Sequence, residues 1–296
     1  MMDYGRNTEP AERLSKAEPN EEGRERQAAF TVVELLTVVA LLVLWATLLL
    51  PALAHSKVGG NAFRCMNNLR QLTAAWRQYA VDNTDALLAS QANISGRTGW
   101  ITGTLDYNGG NRSNWDPNQD LARSPLWRYL ARQAALFRCP ADHSTVYVSG
   151  DSMPRVRSYS MSHVFGAGEW LNKSYDPNQS VWRTYSKSAQ IVNPAKTFLF
   201  LDEHPDSIND GSFANACTGA QPTDAPSAAQ IIDFPASWHN GACVLSFADG
   251  RCEVHKWLGA TIKPPVRYND TLMLNVPAGD SWMDVRWLAA NTTVRR

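Results

Sequence analysis

Side chains able to do chemistry gather in two stretches of this 296-residue chain. In "FLFLDEHPDSINDG", an apolar run leads into Asp202, Glu203, His204, Asp206 and Asp210. In "SWHNGACVLSFADGRCEVHKW", His239 precedes Asp249-Gly250 by one strand's length. Hard oxygen ligands such as the four carboxylates of this loop suit calcium, with His239 and Asp249 as candidates to lie nearby. The spacing is not that of an EF-hand, and acids in loops commonly build turns. Capping by Asp206 or Asp210 is therefore the favoured reading, and the sequence assigns no metal ligands. Ser237, His239 and Asp249 have the residue types of a hydrolase triad, but no G-x-S-x-G elbow accompanies them. At about 3.3 Å per residue, His239 and Asp249 stand roughly 30 Å apart at the ends of one straight strand. The pattern predicts that His239 begins the strand, that Asp249 makes the turn, and that neither is catalytic.

The five cysteines are Cys65, Cys139, Cys217, Cys243 and Cys252. An odd count leaves one unpaired in a monomer. With no C-x-x-C pair, zinc-ribbon and thioredoxin-like sites are excluded. Pairing outward from a two-residue Asp249-Gly250 turn sets Phe247 opposite Cys252, Leu245 opposite Val254 and Cys243 opposite Lys256. Cys243, Leu245, Phe247, Cys252 and Val254 then share one core face. In that register Cys243 and Cys252 are roughly 13 Å apart along the ladder, beyond the Cα limit of about 7 Å for a disulfide. Elimination favours Cys65 with Cys139; the alternative is five buried thiols.

One acid stands where hydrocarbon surrounds it. The stretch "AAFTVVELLTVVALLVLWATLLLPALAHSK" carries Glu34 inside an apolar run from Phe30 to Leu53. About 24 residues at roughly 1.5 Å each span the ~30 Å core of a bilayer. A carboxylate there costs about 2.5–3.5 kcal/mol on insertion scales. It therefore needs a cation or a protein that reads it. Residues 1–29 are polar, with Pro10, Pro19 and Gly23, and build no core. Arg24 and Arg26 precede the run and favour a cytoplasmic N-terminus with the body outside.

The elements that follow read as a folded α+β body. Phe63, Met66, Leu69, Leu72, Trp76 and Tyr79 recur at helical spacing, after a restart beyond Gly59 and Gly60. "GWITGTLDYNGGNRSNWD" predicts a strand and a long surface loop. "SPLWRYLARQ" predicts a capped helix, and "LFRCPAD" a short strand ended by Pro140. "VRSYSMSHVFG" and Thr197 to Leu201 predict strands. With 28 basic and 28 acidic residues, the chain has no basic excess for nucleic acid.

"A-F-T-V-V-E-L-L-T-V-V-A" resembles the N-terminus of type IV prepilins and pseudopilins. The resemblance implies cleavage between Ala29 and Phe30 by a prepilin peptidase, N-methylation of Phe30 and an assembly role for Glu34. Ala29 stands where that family has Gly. Pro51 falls where many pilins have a helix-bending Pro. Glu34 would pair with the new ammonium of a neighbouring subunit. His239, nine residues and Asp249-Gly250 resemble the prepilin-processing-associated H-X9-DG domain of planctomycete and verrucomicrobial bacteria. "C-M-N-N-L-R-Q-L", "F-R-C-P-A-D", "F-L-D-E-H-P-D-S-I-N-D-G" and "D-V-R-W-L" are similar to pieces of that group.

The expectation is a leader over 1–29, a transmembrane helix over 30–53, and a periplasmic or extracellular body over 54–296. In the body, an amphipathic continuation of the helix packs on an antiparallel sheet, as in pilins. The implied role is a non-enzymatic, single-pass inner-membrane subunit of a type II secretion or type IV pilus-like system, without cofactors. Its partners would be the prepilin peptidase and methylase, other pilin-like subunits and the membrane. The alternative is a membrane-anchored binding protein that enters no filament.

Overall fold

The computed structural model describes residues 31–92, 96–174 and 181–296. The leader, Ala29 and Phe30 lie outside the described residues. The chain divides into two compact units, one ending at Pro51 and one covering Ala52–Arg296. Helix α1, Val32–Asp82, begins in the first unit and ends in the second. It is helical through Pro51, Gly59 and Gly60, where a restart was expected. Among the described residues, no helix is long and apolar enough to cross a membrane.

In the first unit the start of α1 is fixed locally. Glu34 Oε2 accepts hydrogen bonds from the Thr31 N–H and hydroxyl, both at 2.8 Å, and the Glu34 N–H donates to Thr31 Oγ1. This reciprocal pattern is a capping box, Thr31 as N-cap and Glu34 three residues on. The Thr37 and Thr47 hydroxyls donate back to the carbonyls of Glu34 and Leu44. Their polar groups are thereby satisfied within the helix.

The second unit is α+β. Its main sheet has β3 (Tyr159–Ser162), β4 (Phe198–Asp202), β5 (Ser212–Phe213), β7 (Ala242–Phe247) and β8 (Cys252–Lys256), in the order β5-β3-β4-β7-β8. β3 pairs parallel with β5, and the other pairs are antiparallel. The sheet is therefore mixed, not antiparallel as expected: the long "DEHPDSINDG" connection returns the chain to the far side of β3. Strands β1 (Thr145–Val148) and β2 (Asp151–Pro154) form a hairpin, and β6 (Gln230–Ile231) pairs with β9 (Val276–Pro277).

Both faces of the main sheet are covered. Leu199, Phe200 and Val244 join the cluster that holds Leu69, Leu72 and Trp76 of α1. Phe198, Leu201, Cys243, Leu245 and Phe247 join the cluster that holds Val285 and Leu288 of α2 (Trp282–Ala290). This explains why β4 and β7 are buried at every position instead of alternating. A bulge between Phe198 and Leu201 breaks the alternation of β4. At the bulge Phe200 donates its N–H to the Ser246 hydroxyl, at 3.2 Å. The bulge puts two successive residues, Leu199 and Phe200, in the α1-side cluster. Asp202 consequently sits on the α1 side.

Several local expectations shift. On α1 the buried line is Cys65, Leu69, Leu72 and Trp76, while Phe63 is exposed. At 3.6 residues per turn, Phe63 lies about 200° around the helix from Cys65. "SPLWRYLARQ" forms only a 3-10 turn, Trp127–Leu130, ended by left-handed Ala131 and Arg132. "LFRCPAD" is a 3-10 turn, Ala134–Phe137, running into Arg138, with no strand. Residues 100–120 carry no strand either; Trp100 is instead anchored through its indole N–H to the Gly211 carbonyl at 2.7 Å.

The hairpin β7–β8 forms around Asp249, but one residue out of the expected register. Cys243 faces His255, Leu245 faces Glu253 and Ser246 faces Cys252. Phe247 donates to the Arg251 carbonyl, so Ala248, Asp249 and Gly250 form a three-residue loop. Gly250 takes φ +99° while Asp249 keeps a negative φ. A three-residue loop with a left-handed Gly replaces the two-residue turn. Cys252 and Val254 therefore lie on the face opposite to Cys243, Leu245 and Phe247.

Candidate functional site

Four side chains from four separate segments meet in the α1-side interior. Cys65 comes from α1 and Cys139 from the loop after the Ala134–Phe137 turn. Asp202 ends β4, and His239 stands just ahead of β7. One Sγ, carboxylate or imidazole atom from each lies within 4.8 Å of all the others, and all four residues are buried.

Each segment is built to deliver its residue. Cys65 falls on the buried line of α1. Cys139 is fixed by its N–H, which donates to the Ser158 hydroxyl at 2.8 Å. Asp202 reaches the cluster through the β4 bulge. His239 precedes a tight turn at Asn240 and Gly241, with φ of +58° and +76°. The His239 N–H donates to the Ala242 carbonyl across it. Asn-Gly with both φ positive is the preferred two-residue turn, and it lies nine residues before the one expected from the sequence. His239 is thus placed across a turn from β7 and does not begin that strand.

The contacts within the cluster are specific. His239 Nε2 lies 3.3 Å from Cys139 Sγ and 3.7 Å from Asp202 Oδ2. Cys65 Sγ lies 3.7 Å from Asp202 Oδ2. A surrounding layer of donors holds these atoms. The Trp238 indole N–H donates to Asp202 Oδ2 at 2.5 Å, and the Ser158 hydroxyl donates to Asp202 Oδ1 at 3.0 Å. The Tyr159 hydroxyl donates to Cys65 Sγ at 3.3 Å, and the Ala141 N–H donates to Cys139 Sγ at 3.5 Å. His239 Nδ1 is buried with no hydrogen-bond partner. Burial pushes the Cys65 thiol up to about 11 and the Cys139 thiol well above its usual value. Burial alone would lower the His239 pKa, but Asp202 and Cys139 outweigh it and push it up to about 9.

This arrangement does not form a nucleophilic triad. A catalytic imidazole uses one nitrogen toward the nucleophile and the other toward the carboxylate. Here Cys139 and Asp202 both face Nε2. The thiols are also fully buried, with no surface for a substrate to approach. The cysteines are all free, so Cys65 and Cys139 are neighbours without the disulfide favoured by elimination.

The remaining sequence candidates disperse. Asp206 accepts the Arg267 and Asn269 N–H groups at 2.7 and 2.6 Å. Asp210 accepts the Ser212 N–H and the Gln91 amide. Both acids cap backbone N–H groups of loops and a strand; neither caps a helix. Glu203 accepts from the Ser207 hydroxyl, and His204 Nε2 lies 3.2 Å from the Pro264 carbonyl. Asp249 serves its turn, accepting the Arg251 N–H on its side chain and the Arg77 guanidinium on its carbonyl. Ser237 contributes its carbonyl to the Gly241 N–H. The acidic loop therefore gives the cluster a single member, Asp202, and the H-X9-DG pattern gives it His239.

Sequence reasoning missed the union of Cys65, Cys139, Asp202 and His239. A signal was present: each of the stretches "CMNNLRQL", "FRCPAD", "FLDEH" and "SWHNG" supplies one member. Comparison with family models, with curated proteins and with solved structures finds no match to this chain.

Proposed function

We propose that this chain is a pilin-like or pseudopilin-like subunit that assembles through its N-terminal helix. The observation that carries the reading is Glu34 at the head of an apolar helix. The fifth residue counting Phe30 as the first, it follows Thr31 in the order that prepilin-like N-termini share. The side chains of Val32, Leu36 and Trp45 are 73 %, 61 % and 62 % exposed, and the apolar residues between them are exposed as well. A continuous apolar surface of this extent needs a covering partner. In this reading the inner membrane covers it before assembly and neighbouring helices cover it afterwards. A prepilin peptidase cleaves between Ala29 and Phe30, a methylase modifies Phe30, and the body stays outside the cytoplasm. The chain's own work is assembly, not catalysis.

The capping box supplies a local reason for Glu34, so the test has to separate cap from charge. Gln at that position keeps the cap and removes the charge. In cells that make the filament, Glu34→Gln should insert in the membrane and disappear from the sheared filament fraction, as should Glu34→Ala. Normal incorporation of Glu34→Gln would reduce Glu34 to a helix cap and contradict the assembly role.

A second reading, an anchored binding protein, draws on one feature. Gln91, His163, Glu169, Asp210 and Asp233 line a polar cavity of about 150 Å³. That is well below the roughly 300–1,000 Å³ of small-molecule sites. A purified monomer that retains a ligand would favour this reading over assembly.

A further inference from the structure

We propose that Cys65, Cys139, Asp202 and His239 bind one zinc ion as a closed, four-ligand structural site. The argument is geometric and stands apart from the assembly reading. Ligand atoms about 2.0–2.3 Å from a tetrahedral zinc lie roughly 3.3–3.8 Å from one another. The separations here are 3.3 Å for Cys139 Sγ to His239 Nε2 and 3.7 Å for both Cys65 Sγ and His239 Nε2 to Asp202 Oδ2. These are three of the six edges of such a tetrahedron, and all four atoms lie within 4.8 Å of one another.

Hydrogen bonding accounts for the two distances that involve sulfur but not for the third. An imidazole–carboxylate bond closes to about 2.7–3.2 Å. The 3.7 Å between His239 and Asp202 is too long for that bond, in an interior that normally forces polar partners together. A disulfide would require the two sulfurs to bond, and both are free. A shared central ion accounts for all three separations together.

The donor set selects the metal. Two sulfurs, one imidazole nitrogen and one carboxylate oxygen suit zinc and fit calcium or magnesium poorly. The surrounding layer is of the kind that orients metal ligands. Trp238 and Ser158 fix the Asp202 carboxylate, and Tyr159 and the Ala141 N–H donate to the two sulfurs. His239 Nδ1, which must carry the ring proton when Nε2 ligates, lacks a partner. The ligands number four and are buried, so no position stays open for water or substrate. Such a site is structural.

On binding, the Cys65 and Cys139 thiols and the His239 Nε2–H release their protons to water. No electrons move. The ion would join residues 65, 139, 202 and 239, fastening α1 to the loop at Cys139, to the end of β4 and to the turn before β7.

The test uses the full chain, purified in detergent without chelator. Elemental analysis should find about one zinc per chain. Replacement by cobalt should give a near-ultraviolet thiolate-to-cobalt charge-transfer band of two-thiolate intensity, with strong visible bands of tetrahedral cobalt. Cys139→Ser and His239→Ala should weaken the metal on the order of 100-fold or more. Cys252→Ser, outside the cluster, should bind as the parent does. Sub-stoichiometric zinc with a Cys65–Cys139 disulfide in the mass spectrum would overturn the proposal. So would bound metal that survives both ligand substitutions. If those variants do not fold, the cobalt spectrum of the parent decides alone, and a spectrum without thiolate charge transfer rejects the site.

Discussion

Asp202 shows how little a residue's type reveals without its surroundings. It opens a run of acids and histidine that reads as a calcium loop or a set of turn formers. In the fold, Asp202 joins the cluster, while Glu203 and His204, equally buried, bond to Ser207 and the Pro264 carbonyl instead. His239 behaves likewise. As a residue that only begins a strand it would be dispensable, yet its imidazole is buried against Cys139 and Asp202. Removing it leaves the buried Asp202 carboxylate without its cationic or metal-bound neighbour. Breaking one side of a buried charged pair costs about 3–5 kcal/mol. His239→Ala should lower the stability of the chain by that order in a denaturant titration. A loss under about 1 kcal/mol would restore the view of His239 as a strand-starting residue. Asp233 supplies a separate, pH-dependent prediction. Burial raises its pKa from 3.8 to about 7, with Asp210 adding to the rise against the Ala214 N–H. The folded chain holds this proton until about pH 7, whereas the unfolded chain releases it near 3.8. Its contribution is full below 3.8 and is lost as pH rises through about 7. Asp233→Asn keeps an acceptor for the Ala214 N–H, 2.6 Å away in the parent. The variant should flatten the fall in stability between pH 4 and 7, and an unchanged slope would contradict the assignment.

At the scale of elements, strands were easier to read than their faces. "FLFLD" and "ACVLSF" are legible as strands from their apolar, branched and aromatic content. Period-2 reasoning then fails, because the sheet is covered on both faces and β4 carries a bulge. A bulge leaves no sequence signature; it depends on Ser246 replacing a backbone acceptor for the Phe200 N–H. Ser246→Ala would leave that buried N–H without its partner, at about 1–3 kcal/mol. Because the bulge also aims Asp202, the variant should loosen the four-residue cluster as well as lower the melting temperature. The hairpin at Asp249-Gly250 was legible and its register was not. "D-G" fits both a two-residue and a three-residue loop, and only the φ of Asp249 separates them. Gly250→Val places a branched residue at φ +99°, a strain of about 1–3 kcal/mol. The added Cβ would also stand 2.9 Å from Arg77 Nη1, a flexible group able to move. Thermal melts should show the loss, and an unaltered melt would mean the loop relaxes to another form. The cluster itself was illegible because its members are 137 and 100 residues apart in the chain for the pairs Cys65–Asp202 and Cys139–His239. Spacing rules detect ligands that are close in sequence; these are brought together only by tertiary packing.

For the whole molecule, the sequence motif at the N-terminus and the α+β body support one account. In the proposed function the head of α1 serves assembly, while the body is a packed unit with a sheet covered on both faces. The body's interior cluster bears on stability, and the N-terminal motif bears on what the protein does. The two can be tested independently, since loss of metal would leave processing intact and loss of processing would leave the body folded. Processing is the more direct test of the functional account. If Ala29 is accepted in place of Gly, the chain recovered from membranes of its own host should begin at Phe30 and carry one N-methyl group. Intact-mass and N-terminal peptide spectrometry would read both features. A mature chain that starts at N-methyl-Phe30 is the result the account predicts. A chain that retains Met1 or Met2 in cells with an active prepilin peptidase would contradict it.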